Sequence, residues 1–171
     1  MSEKDTTASP TPKHAPSPME LVLQFHHTYS VPIRPFSDPT LDYERMNMRM
    51  SLIAEEFAEL MGAVYGPRAR AIIEAATAEA VATDEGERDV IEAADALADL
   101  VYVVYGMAIE SGMNLDSVLA EVQASNLSKL MPDGSVKLRE DGKVLKGPNF
   151  FQPNIARGLG LESPTDGSDA D

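Results

Sequence analysis

Residues 100–109, LVYVVYGMAI, are apolar around the whole circumference of a helix, and the carboxylates Glu92, Asp95 and Asp99 lead into them at i, i+3 and i+7. The run is about half the ~20 residues that a membrane-spanning helix needs. It has no polar face, so it predicts a helix buried inside a helical assembly rather than one lying on a surface. The acidic stripe continues into Val103 and Gly106, and its carboxylates are expected to point inward. Buried like charges are costly unless a cation neutralises them or some of them protonate.

The rest of the chain fits the same class. Pro18 opens a short helix over 18–29, stopped by Val31-Pro32 and Arg34-Pro35. A second helix is expected over 39–65, ended by the Gly66-Pro67 breaker, a third over 68–82 and a fourth over 87–111, closed by Gly112. Asn114 reads as the N-cap of a fifth, running to 131. No stretch before residue 132 alternates with period two, so the expected fold is all-α, a bundle of four to five helices. After it, Asp133-Gly134 and Asp141-Gly142 bracket 135–139 as a short C-terminal hairpin or loop flap, with 143–145 returning.

Residues 1–17 carry Pro10, Pro12 and Pro16 among Thr, Ser and Lys and are expected to be disordered, with no apolar stretch of the signal-peptide kind. Residues 156–171, with Glu162, Asp166, Asp169 and Asp171 among Gly, Ser and Pro, are expected to be an acidic disordered tail. The domain then spans 18–155. The 28 Asp and Glu against 14 Lys and Arg give a net charge of −14, which opposes nucleic-acid binding because a polyanion needs a basic face. The absence of cysteine excludes thiolate zinc sites, disulfides and thiol nucleophiles, and suits a cytoplasmic protein with no membrane partner.

What remains is oxygen chemistry. On the second helix Glu55, Glu56 and Glu59 fall within roughly 100° of arc. Two helices each presenting carboxylates at one-turn spacing can converge on Mg²⁺, which takes oxygen ligands. A solvated acidic face is the plainer alternative. Arg49 precedes the glutamates and Lys129 follows on the fifth helix, either as ordinary helix ion pairs or as contacts to a phosphate. His26 and His27 are adjacent, point to different faces and cannot form a ligand pair, and the nine methionines read as gap fillers.

Four ordered segments, 49–59 (RMSLIAEEFAE), 95–106 (DALADLVYVVYG), 121–129 (EVQASNLSK) and 141–153 (DGKVLKGPNFFQP), with Phe25-His26 before them, carry a family resemblance. The chain resembles the MazG-like all-α nucleoside triphosphate pyrophosphohydrolases, and most closely their short dUTPase-like branch. The resemblance implies a helical bundle of the all-α NTP pyrophosphatase type, a homodimer, and Mg²⁺ as cofactor, with Mn²⁺ as a substitute. It implies Glu56 and Glu59 as the ExxE metal ligands, Glu55 as the carboxylate acting on the attacking water, and Asp99 as the Asp of ExxD. The Glu of that second motif falls at Ala96, a departure that leaves Asp95, then Glu92, as the replacement ligand. By the same resemblance Asn126, Lys129, Lys143 and Lys146, with Arg49, contact the substrate.

The reaction so implied is cleavage of a nucleoside triphosphate, dUTP foremost, to the monophosphate and pyrophosphate in nucleotide-pool housekeeping. Two other readings stay open: phosphoribosyl-ATP pyrophosphohydrolase, and a non-catalytic acidic helical adaptor.

Overall fold

The structure, a computed structural model, describes residues 15–139 and 144–161. Six helices run through the described residues: α1 (Pro18–Thr28), α2 (Met46–Tyr65), α3 (Pro67–Ala82), α4 (Val90–Glu110), α5 (Leu115–Leu127) and the single turn α6 (Ile155–Gly158). The all-α class is as expected, with α6 the helix that the pattern did not announce. None of the helices is long and apolar enough to cross a membrane.

Local chemistry sets the helix ends. Ser17 and Glu20 form a reciprocal capping box at α1, with the Glu20 amide donating to Ser17 Oγ at 3.3 Å and the Ser17 amide to Glu20 Oε2 at 2.7 Å. Asp89 Oδ1 accepts the first amides of α4, from Ile91 at 2.9 Å and Glu92 at 3.0 Å, and Asn114 caps α5 through the Ser117 amide at 3.1 Å. The start of α2 is later than expected, at Met46 rather than 39. Between them the chain spends its amides on tight turns, Asp38 to the Pro35 carbonyl at 3.0 Å and Asp42 to Thr40 Oγ1 at 3.0 Å.

The described residues divide into two compact units, one lying within Met1–Ile33 and Val104–Asp171, the other Arg34–Val103. In the second, α2 turns into α3 through Gly66, whose φ of +91° is a conformation that other residues rarely adopt. Its amide closes α2 on the Gly62 carbonyl at 2.9 Å while its own carbonyl accepts from Ala69 at 3.0 Å, and Pro67 opens α3. Ala58, wholly buried, marks the inner face of α2.

In the first unit α1 and α6 both pack on α5. Tyr29 is 2 % exposed, Gln123 Nε2 on α5 donates to Gln24 Oε1 on α1 at 3.0 Å, and Arg157 on α6 makes a two-pronged ion pair with Glu121 at 2.7 Å for each prong. The expected flap contributes a single antiparallel bridge, Leu138 to Val144, supported by the Leu145 amide on the Lys137 carbonyl at 2.8 Å. The expectation of disordered ends falls largely on residues 1–14 and 162–171, outside the described residues. The helix that carries Arg157 runs across the expected domain limit of 155.

One expectation is corrected. Along α4 the apolar run is exposed in the single chain: Tyr102 by 80 %, Ile109 by 75 % and Val103 by 60 %, with Ala108 the buried residue of the helix. The all-round apolar pattern predicts a helix buried inside a helical assembly, and the described residues of one chain leave this length of it exposed.

Candidate active site

The carboxylates sit where the helix spacing put them, on α2 and α4, and all are exposed: Glu55, Glu56 and Glu59 on the first, Glu92, Asp95 and Asp99 on the second. Ala96 stands between the last two, also exposed. The expected convergence is absent from the single chain, because among the described residues no three His, Asp or Glu side chains lie close enough together to hold a metal ion. Arg49, half-buried, lies on α2 ahead of the glutamates.

Glu59 has a partner that sequence reasoning missed. Arg70 on α3 reaches its Oε1 at 3.3 Å and holds Glu74 at 2.8 Å. These carboxylates, Glu74 first, raise the guanidinium above its ordinary range. A signal existed: Glu59 and Arg70 flank the Gly66-Pro67 breaker, and residues on either side of a helix reversal can meet across it. The close fit of the pair shows at Gly62, where a β-carbon would stand 3.1 Å from Arg70 Cβ.

In the first unit, the expected Asn126 and Lys129 lie at the end of α5. Lys129 Nζ donates to Asn126 Oδ1 at 2.7 Å, so two residues expected to touch substrate already form a polar pair. From the C-cap of α1, the Tyr29 hydroxyl donates to the Asn126 carbonyl at 2.7 Å and to that of Leu127 at 3.1 Å. Burial, outweighing its hydrogen-bonding environment, raises the Tyr29 phenol above its ordinary pKa, so it stays a donor to these carbonyls.

Behind the pair runs the C-terminal segment. The Gly147 amide donates to the Lys129 carbonyl at 3.0 Å, Ser125 Oγ to the Phe151 carbonyl at 2.8 Å, and the Phe151 amide to Ser128 Oγ at 3.1 Å. Lys146 is exposed, its ammonium 4.3 Å from the centre of the Phe150 ring. Lys143 falls outside the described residues. His26 bonds through Nδ1 to the Pro32 carbonyl at 3.1 Å, which gives that imidazole a role in closing the turn after α1.

Three comparisons bear on this arrangement. The profile of the phosphoribosyl-ATP pyrophosphohydrolase family matches residues 22–126. A crystal structure from Exiguobacterium sp. 255-15, provisionally described as an NTP pyrophosphohydrolase, is similar over 81 % of this chain and 89 % of its own, at 28 % identity and a TM-score of 0.62. No curated protein matches the sequence. The match takes in α2, α4 and most of α5, and stops short of Lys129 and the C-terminal segment.

Proposed function

The chain belongs to the phosphoribosyl-ATP pyrophosphohydrolase family, a hydrolase of phosphoric anhydride bonds, and we propose that it is a nucleoside triphosphate pyrophosphohydrolase of the dUTPase-like MazG branch, acting on dUTP in the cytoplasm. Family membership sets aside the non-catalytic adaptor. The observation that carries the substrate class is the Asn126–Lys129 pair with Lys146 on the segment bonded to it. In a chain of net charge −14, a lysine paired with Asn126 and a second lysine on the segment bonded to its backbone are suited to a polyphosphate.

Glu56 and Glu59, with Asp99 and Asp95 or Glu92, are the proposed Mg²⁺ ligands. The all-oxygen donor set suits that ion or Mn²⁺, although one chain alone does not gather it. When bound, the metal would neutralise charge on the phosphates and acidify a bound water. Glu55 takes a proton from the attacking water as its oxygen bonds to the α-phosphorus, and the bond from that phosphorus to the bridging oxygen breaks. Lys129 and Lys146 bind the β- and γ-phosphates equally before and during cleavage, and Arg49 is a further phosphate contact. A second copy of the chain is the proposed cover for the exposed apolar length of α4, giving a homodimer.

The family name itself favours a second reading, phosphoribosyl-ATP as substrate. Both are tested by incubating the full chain with phosphoribosyl-ATP and each common NTP and dNTP, with and without Mg²⁺ or Mn²⁺, and following monophosphate and pyrophosphate. The expected result is metal-dependent conversion of dUTP to dUMP and pyrophosphate. Preference for phosphoribosyl-ATP would replace the substrate, and no turnover of any compound would overturn the reading.

A further inference from the structure

We propose that Gly147 is a positioning residue, which seats the C-terminal segment on the end of α5 so that Lys146 is held beside the Asn126–Lys129 pair. The inference rests on the polyphosphate reading above. It starts from a close approach that only glycine allows. A β-carbon at residue 147 would lie 2.3 Å from the Leu130 carbonyl oxygen, 2.9 Å from the Leu130 carbonyl carbon and 3.0 Å from the Lys129 oxygen. All three neighbours are backbone and cannot swing aside as a side chain can.

The same approach is what lets the Gly147 amide reach the Lys129 carbonyl. The residue before it, Lys146, is thereby fixed within one peptide of the lysine that holds Asn126. A second anchor follows at Phe151, whose amide and carbonyl are bonded to Ser128 and Ser125. Between the two anchors Phe150 lies under the Lys146 ammonium and restricts where that charge can go. Any side chain at 147 lifts the first anchor, leaves the second, and releases Lys146 from its place while the helices stay intact.

The test is a double-variant cycle on the full chain with dUTP and Mg²⁺. Gly147→Ala is expected to raise KM about tenfold with kcat held within about twofold, Lys146→Ala to do the same, and the double variant to be no worse than either. Ser128→Ala, which loosens the second anchor without adding an atom, should raise KM less and again show no added effect on the Lys146→Ala background. Amide hydrogen exchange gives the catalysis-free readout, with faster exchange at residues 147 and 151 in Gly147→Ala and unchanged exchange in α1. Multiplying KM effects, or an unchanged KM in Gly147→Ala, would overturn the proposal. If the unaltered chain turns over no substrate, the functional reading falls by itself, and affinity for inorganic tripolyphosphate takes the place of KM. The same non-additive pattern there supports the seat, and no binding overturns it.

Discussion

At the end of α5 the carbonyls of Ser125, Asn126, Leu127 and Lys129 all receive donors, from Ser128, Tyr29 and Gly147, whereas along α4 Tyr102, Val103 and Ile109 stand more than half exposed. The first region is finished by contacts within one chain, because hydrogen bonds between α1, α5 and the C-terminal segment satisfy polar groups locally. The second carries its cost in uncovered apolar surface, which nothing among the described residues relieves. The lesson is that the lysines proposed to contact substrate and the carboxylates proposed to hold metal depend on different forces. Altering each should separate them.

The largest effect is expected at the carboxylates. Glu56→Gln keeps the side chain's shape but removes its charge, and it should reduce turnover by at least about a hundredfold, since loss of groups merely supporting a metal ligand already costs 10- to 100-fold. Circular dichroism should show unchanged helix content, because Glu56 is exposed on α2. Full activity in the folded variant would return the acidic cluster to the status of a solvated face.

Next comes the uncovered helix. Val103→Glu places a charge in the middle of the α4 patch, and sedimentation should show a shift from dimer to monomer with loss of activity. A monomeric unaltered chain with full activity would break the comparison, because α4 would then be exposed and functional as it stands. Either outcome is read directly from the sedimentation coefficient and the pyrophosphate assay.

How much of this was legible in the sequence follows from the range over which each force acts. The Asn114 cap and the Gly66-Pro67 break are short-range and appear where the pattern put them. The start of α2 was misplaced because Thr40 and Pro35 draw nearby amides into turns, a competition that helix periodicity does not register. The carboxylate positions were legible from spacing, and their failure to gather in one chain was not, since spacing fixes a face and not the helix opposite it. Arg70 on Glu59, Tyr29 on α5 and Gly147 on Leu130 are encounters between segments, and Gly147 in particular reads in sequence as an ordinary turn residue.

Tyr29→Phe tests the finished region. It leaves the ring, which lies 4.5 Å from that of Phe25, and removes the donor that serves the Asn126 and Leu127 carbonyls. The Asn126 carbonyl keeps the Lys129 amide at 3.3 Å, but the Leu127 carbonyl loses the phenol, and an unsatisfied buried acceptor costs about 1–3 kcal/mol, so the melting temperature should fall by several degrees. Asn126 and Lys129 lose their support at the same time, and KM should rise with it. An unchanged melting temperature would mean that water replaces the phenol and that α5 needs no help from α1.

The smallest expected effect is also the one with a pH signature. The Arg157 guanidinium, through its hydrogen bonds to Glu121 above all, holds that carboxyl below its ordinary pKa. A group whose pKa is depressed on folding adds stability that is fully present above its unfolded value and is lost as the pH falls through the folded one. Arg157→Ala should therefore lower the melting temperature by about 1–2 °C at neutral pH, the scale of a partly exposed pair. The gap should close below the ordinary carboxylate range as Glu121 is protonated in both proteins. Because α6 touches α5 beside Val118, at the opposite end from Lys129, KM should not move. A gap that persists into acid would assign the stabilisation to the packing of Gly158 on Val118 instead of to the charges.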